Sequence, residues 1–146
     1  MLRQFLLGGF VSLCNIAIHA FIMSVLIQAA RRTSQSKTPP VLFLTAVMIV
    51  TVAVLMVAHT CEVMVWALAY HVLDAAPSGA KLVYFAFVNY TTLGYGDVLP
   101  APDWQLLGPM TAMNGVLLFG WSTAVIFEVL RRALAHTPGH RPIAGA

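Results

Sequence analysis

Charge is what this sequence has least of. Asp, Glu, Lys and Arg make up 9% of its 146 residues, against about 25% in a soluble domain. A water-soluble enzyme is hard to build from so few charges. A disordered chain, which is rich in charge and poor in apolar residues, is equally excluded. Two cysteines, Cys14 and Cys61, do not make a disulfide-stapled secreted domain. Each lies in an apolar stretch and reads as a small filler. The basic excess is slight, 8 Lys+Arg against 5 Asp+Glu for a net +3, and too scattered for a nucleic-acid footprint. No stretch repeats Arg every third residue, so there is no voltage sensor. No Ser/His/Asp set, phosphate loop or metal-ligand spacing offers catalysis, no cofactor is implied, and no internal repeat is visible.

What the chain has instead is apolar length. Sixty per cent of it is hydrophobic and the mean hydropathy is +0.84. Three stretches exceed the roughly 20 apolar residues that a membrane span needs: Phe5 to Ala30, Val41 to about Val72, and Leu106 to about Leu130. Arg31-Arg32 are expected to end the first and Arg131-Arg132 the third, while Pro39-Pro40 separate the first two. Met1-Leu2-Arg3-Gln4 before an apolar run imitates a signal peptide, but the run is too long and ends without a small-residue cleavage site. Arg31, Arg32 and Lys37 in the 31–40 loop, and Arg131, Arg132 and Arg141 in the tail, place both on the cytoplasmic side by the positive-inside bias. The N-terminus and the 73–105 segment then face outward. Trp66, Tyr70 and Trp104 fall where an outer aromatic belt would.

The segment between the second and third spans carries the chemistry. It opens with a turn, Asp74-Ala-Ala-Pro77-Ser78-Gly79, in which Ser78 is placed to cap a helix. Lys81 to Tyr90 is apolar, aromatic and too short to cross, which suits a re-entrant helix. Then comes Thr91-Thr92-Leu93-Gly94-Tyr95-Gly96-Asp97. Non-helical backbone at membrane depth is tolerated only where protein buries it or it lines a water-filled path. A ring of oxygens that replaces the water of a small cation can be built from carbonyls facing one axis. Alternating left- and right-handed backbone makes that possible, and Gly94 and Gly96 flanking Tyr95 allow the alternation. One chain supplies one wall, so a ring needs several copies around an axis.

This heptad resembles the selectivity filter of the tetrameric pore-loop potassium channels, whose signature reads TVGYG. The aromatic short helix before it, the Asp97-Val98-Leu99-Pro100 turn after it and a glycine-bearing third span match as well. The resemblance covers about residues 41–134. It implies an all-α membrane protein with three transmembrane helices, a re-entrant pore helix and a filter loop, assembled as a homotetramer in membrane lipid and passing K⁺. The parts would be an extra helix and basic loop (1–40), an ion-channel domain (41–134) and a tail (135–146). Thr92, Leu93, Gly94 and Tyr95 would bind K⁺, Thr92 through its hydroxyl as well. Thr91, Gly96, Asp97 and an aromatic cuff of Tyr84 and Phe85 around Tyr95 would support them. Two departures stand out. Leu93 replaces the usual Val or Ile, and Val88 occupies the place where some members carry a Glu that holds the Asp. A weakly selective cation channel, or a non-conducting sensor or scaffold subunit, therefore stays open beside the potassium channel.

The third span offers Gly115 and Gly120, read either as a gating hinge by resemblance or as close helix packing. Val116, Phe119, Thr123 and Phe127 share a face at helical spacing and would line the cavity, with Phe127 as a constriction. Asn114 reads as an interhelical hydrogen bond in preference to a pore ligand, and Glu128 as a partner of Arg132 in preference to a ring that raises local cation concentration. His19, His59 and Glu62 fall at similar depth. They read as a satisfied polar contact, a proton sensor, or, for Glu62, a substitute for the missing filter-bracing Glu. A metal site is disfavoured, since Cys61 faces away and Cys14 and His19 point apart. The first helix is expected to pack outside the second and not to be needed by the pore.

Overall fold

The computed structural model describes residues 1–32, 40–77 and 79–135. Among the described residues the structure is all helical. It comprises α1 (Leu2–Arg32), α2 (Pro40–Val72), the nine-residue α3 (Leu82–Tyr90), a 3-10 turn at Pro102–Trp104 and α4 (Leu107–Ala135). Three helices are long and apolar enough to cross a membrane, over Leu2–Ala30, Val41–Val72 and Pro102–Ala135. The chain is a multi-pass membrane protein. Most of the expected basic loop (residues 33–39), the Ser78 cap and nearly all of the tail (136–146) lie outside the described residues.

Two helices run past the arginines expected to stop them. α1 includes Arg31 and Arg32, and α4 continues through Arg131 and Arg132 to Ala135. Arginine ends a hydrophobic run but is a good helix former, and its charge suits a helix C-terminus. α2 has 33 residues, roughly 50 Å at 1.5 Å per residue, longer than a bilayer's hydrocarbon core of about 30 Å. It ends where Asp74 turns left-handed (φ 52°). There the Ala75 N–H donates to Tyr70 O at 3.0 Å and the Asp74 N–H to His71 O at 3.3 Å, the paired bonds of a Schellman stop. The Ala101 N–H donates to Ala75 O at 2.9 Å and so closes the base of the segment that carries α3.

One apolar cluster surrounds α3, with Trp66, Tyr70, Phe85, Tyr90, Trp104 and Leu107 at its centre. A second joins Met23, Leu26, Leu55, Val125 and Val129 toward the other end of the helices. The expected aromatic belt is not a belt. Trp66, Tyr70 and Trp104 are buried inside the chain, because each polar or π group has an internal partner. The Trp66 Nε1–H donates to Asn114 Oδ1 at 3.0 Å, Tyr70 Oη lies 2.6 Å from Thr111 Oγ1, and the Arg3 guanidinium covers the Trp104 ring at 4.1 Å. Large apolar side chains face outward instead, among them Phe10, Leu13 and Phe21 on α1 and Met56, Val57 and Leu68 on α2. Lipid solvates such a surface; water would not.

α1 does not simply lie outside α2. It packs on α4 as well, with Gly8 against Met110 and Leu107, Asn15 Nδ2 donating to Asn114 Oδ1 at 3.0 Å, and Gln4 Oε1 accepting from the Leu106 N–H at 2.9 Å. The polar groups on α1 decide this. Asn15 and His19, both fully buried, need partners that a purely lipid-facing helix would not have.

Candidate functional site

α3 stops as α2 does, but with a threonine in the left-handed position. The Leu93 N–H donates to Val88 O at 2.9 Å and the Thr92 N–H to Asn89 O at 3.0 Å, with Thr92 at φ +59°. A β-branched residue there is a backbone outlier, held by these two bonds and concentrated where function tends to store strain. Gly94 follows at φ +59° and Gly96 at φ +77°, while Leu93 and Tyr95 between them are not left-handed. Handedness therefore alternates residue by residue from 92 to 96, one step more than the two glycines suggest. Every residue from Thr91 to Asp97 is exposed in the single chain, Leu93 by 52% and Tyr95 by 67%. The strip is not folded against the rest of its own chain. The Thr91 hydroxyl donates to Phe87 O at 2.7 Å and the Thr92 hydroxyl to Thr91 O at 2.6 Å.

Asp97 has a partner, though not the one expected. Tyr84 Oη donates to Asp97 Oδ2 at 2.8 Å, tying the first turn of α3 to the far end of the strip. Val88 is buried and apolar, and Glu62 does not reach Asp97. Phe85 does not stand in a cuff beside Tyr95. It is 1% exposed and packs on Tyr70 of α2, ring centroids 4.8 Å apart.

On α4, Val116, Phe119, Gly120, Thr123 and Phe127 are all exposed along one face, as their spacing predicts. Gly115 and Gly120, both on this helix, differ. Around Gly120 nothing would meet an added Cβ within 4 Å, whereas at Gly115 that atom would lie 2.0 Å from Tyr90 O. Gly115 is thus the point where α4 touches the end of α3, the packing alternative of the two expected for it. Asn114 is an interhelical hydrogen-bond acceptor, and Glu128 pairs with Arg131 at 2.8 Å and with Arg132.

A family model described as "Ion channel" matches residues 58–132, more than half of the chain. The chain belongs to the ion channel family. No curated protein and no solved structure matches it. The matched residues of this ion channel hold α3, the strip and nearly all of α4. α1 lies wholly outside them.

Behind the strip of the ion channel the structure gathers a buried polar cluster. Glu62 Oε1 lies 2.8 Å from His19 Nδ1, and Glu62 Oε2 lies 2.9 Å from His59 Nδ1 and accepts from the Tyr90 hydroxyl. His59 Nε2 lies 2.9 Å from Ser122 Oγ, with His19 Nε2 3.5 Å from the same oxygen. Phe119 covers the His59 ring at 4.6 Å and Trp121 the His19 ring at 5.3 Å. The three ionisable donors lie within 4.8 Å of one another, and their polar atoms are engaged with one another, Tyr90 and Ser122. Depth arithmetic finds His19, His59 and Glu62 from sequence; it misses Tyr90 and Ser122, whose register depends on the Gly115 contact. Glu62 thus meets Tyr90, the last residue of α3, directly before the strip.

The Tyr84–Asp97 contact predicts an alkaline effect. The hydrogen bond to Asp97 holds the Tyr84 phenol above its ordinary value of 10.0. A raised tyrosine favours the neutral, donating form. The brace is therefore present below that ordinary value and lost as pH rises through the raised one. Ion flux through the channel should fall reversibly above about pH 10, and Tyr84→Phe should show the weakened behaviour already at neutral pH, with no further alkaline step. Flux measured across pH 7 to about 11 checks this, and an unchanged alkaline step in Tyr84→Phe would contradict it.

Proposed function

We propose that this ion channel conducts K⁺ selectively and passively, without catalysis, as a homotetramer in membrane lipid. Carbonyls of Thr92, Leu93, Gly94 and Tyr95 from four copies would replace the ion's hydration shell, and neighbouring ions would push one another onward. The observation that carries this reading is the alternation of left-handed Thr92, Gly94 and Gly96 with Leu93 and Tyr95. That backbone lets successive carbonyls face one side. Its exposure in one chain supports the oligomer, since irregular backbone at membrane depth needs protein or a water-filled path beside it. The open face of α4 from Val116 to Phe127 supports a cavity below the strip. Tyr84 takes over the bracing of Asp97 that Val88 cannot give.

In this reading residues 41–134 form the pore-bearing part, α1 is an added helix, the N-terminus lies outside and the C-terminus in the cytoplasm, as the basic residues of the 31–40 loop and the tail favour. The test is the reversal potential of the purified protein in lipid bilayers under opposed K⁺ and Na⁺ gradients. It should lie near the K⁺ equilibrium potential. Currents that follow Na⁺ equally would leave a weakly selective channel, and no current at all would leave a non-conducting subunit.

A further inference from the structure

Five residues from all four helices meet at one buried point: His19 (α1), His59 and Glu62 (α2), Tyr90 (α3) and Ser122 (α4). His19 and Glu62 have no exposed side-chain surface, and His59 has 13%. A carboxylate in such a place needs a compensating charge. Among the described residues the groups facing it are the two histidines and the phenol of Tyr90, with the neutral hydroxyl of Ser122 behind the histidines, so the compensation there comes from a histidine.

The hydrogen bonds set the proton count. As a carboxylate, Glu62 only accepts, so both Nδ1 atoms carry hydrogen. Both Nε2 atoms then face the single hydroxyl of Ser122, which has one hydrogen to give. With both Nε2 atoms bare, one of them faces an oxygen lone pair and stays unpaired, and the negative charge of Glu62 stays uncompensated. One added proton removes both faults. An Nε2–H then donates to Ser122 Oγ, the Ser122 hydroxyl donates to the other Nε2, and the set becomes neutral. A second added proton would leave it positive. Satisfaction of hydrogen bonds and neutrality thus ask for the same single proton.

That proton is tied to the strip. The Tyr90 hydroxyl donates to Glu62, the Tyr90 carbonyl sits against Gly115, and the next residue, Thr91, begins the strip. We propose that His19, His59 and Glu62 form a one-proton binding site that holds Tyr90, and with it the base of the strip, in the conducting arrangement. The inference rests on the K⁺-channel reading. The proton exchanges through His59, the partly exposed member, on the side of α4 where Phe119 lies. Its loss leaves Glu62 charged and unmatched, so that the carboxylate draws in water and Tyr90 loses its fixed acceptor. α1 acquires a role here, since it brings His19 to a channel whose family match begins at residue 58.

The experiment follows two readouts in the same liposomes between about pH 5 and 8, the range in which a histidine side chain changes its charge. One is K⁺ flux. The other is the fluorescence of Trp121, isolated by difference against Trp121→Phe, because its ring lies 5.3 Å from His19 and reports the cluster's charge whether or not ions pass. In the wild type, flux should fall at least about threefold on the alkaline limb, with the fluorescence change at the same midpoint. Glu62→Gln, which removes the charge to be compensated, should flatten both profiles. Tyr90→Phe should keep the fluorescence titration and lose the dependence of flux on pH, which a merely structural role for Tyr90 would not produce. Fluorescence without a titration, flux that is flat while fluorescence titrates, or a Tyr90→Phe flux profile that overlays the wild type would each overturn the proposal. Absence of wild-type K⁺ flux at every pH would overturn the channel reading itself, and the coupling with it.

Discussion

Replacing Gly115 by alanine is expected to uncouple α4 from α3 and to abolish K⁺ flux. The added Cβ would lie 2.0 Å from the Tyr90 carbonyl oxygen, 3.0 Å from its carbon and 3.3 Å from its ring. Two of these atoms are backbone, so no flexible side-chain tip can move aside. Relief must come from a shift of one helix against the other, in a core where overpacking costs about 1–3 kcal/mol and sometimes more. The shift acts on the last residue of α3, directly before Thr91, and on the donor to Glu62. The expected result is a lower thermal unfolding midpoint in detergent and at least about a tenfold loss of flux, since each 1.4 kcal/mol is a factor of about ten. Gly120→Ala is the control. Nothing lies within 4 Å of its new Cβ, and alanine favours a helix over glycine by up to about 1 kcal/mol. If bending at residue 115 were the whole reason for the glycine, Gly115→Ala would assemble with undiminished stability and change only the open probability. That outcome would remove the packing argument.

The contrast between these two glycines was not legible in the sequence. Both stand in an apolar helix with small neighbours, and only the crossing of α3 over α4 separates them. The three long helices could be read because hydropathy reports directly on transfer into lipid. Their ends could not, since Arg31-Arg32 and Arg131-Arg132 mark the limit of the apolar run but prolong the helix. By sequence Trp66, Tyr70 and Trp104 fit a belt, because an amphipathic ring is equally content at an interface or beside a buried partner. Asn114, Thr111 and Arg3 supply those partners. In the strip, Gly94 and Gly96 announced left-handed backbone. Thr92 did not, because nothing in a β-branched side chain asks for φ +59°; the two bonds back to Val88 and Asn89 impose it. His19, His59 and Glu62 could be brought together by helix rise alone, but Tyr90 and Ser122 needed the packed register.

Gly94→Ala is expected to stop K⁺ conduction while leaving the subunit folded, for a reason opposite to that at Gly115. Here there is room: the nearest atom to an added Cβ is the Thr92 carbonyl oxygen at 3.8 Å. The cost is conformational, because an L-residue held at φ +59° is disfavoured by about 1–2 kcal/mol. The strip is exposed and held mainly at its ends, by Val88 and Asn89 at one and Tyr84 at the other. The backbone therefore relaxes locally, and the helices keep their contacts. Relaxation at residue 94 breaks the alternation in its middle and, in the K⁺-channel reading proposed above, would turn the neighbouring carbonyls away from the shared axis in every copy. Thermal unfolding should stay within error of the wild type while K⁺ flux falls by at least about tenfold. D-alanine at the same position, introduced by semisynthesis, reverses the conformational preference without changing the atoms added, so it should restore conduction. Loss of flux with both enantiomers would show that bulk, not handedness, matters at residue 94, and would take away the alternation on which the K⁺ reading stands.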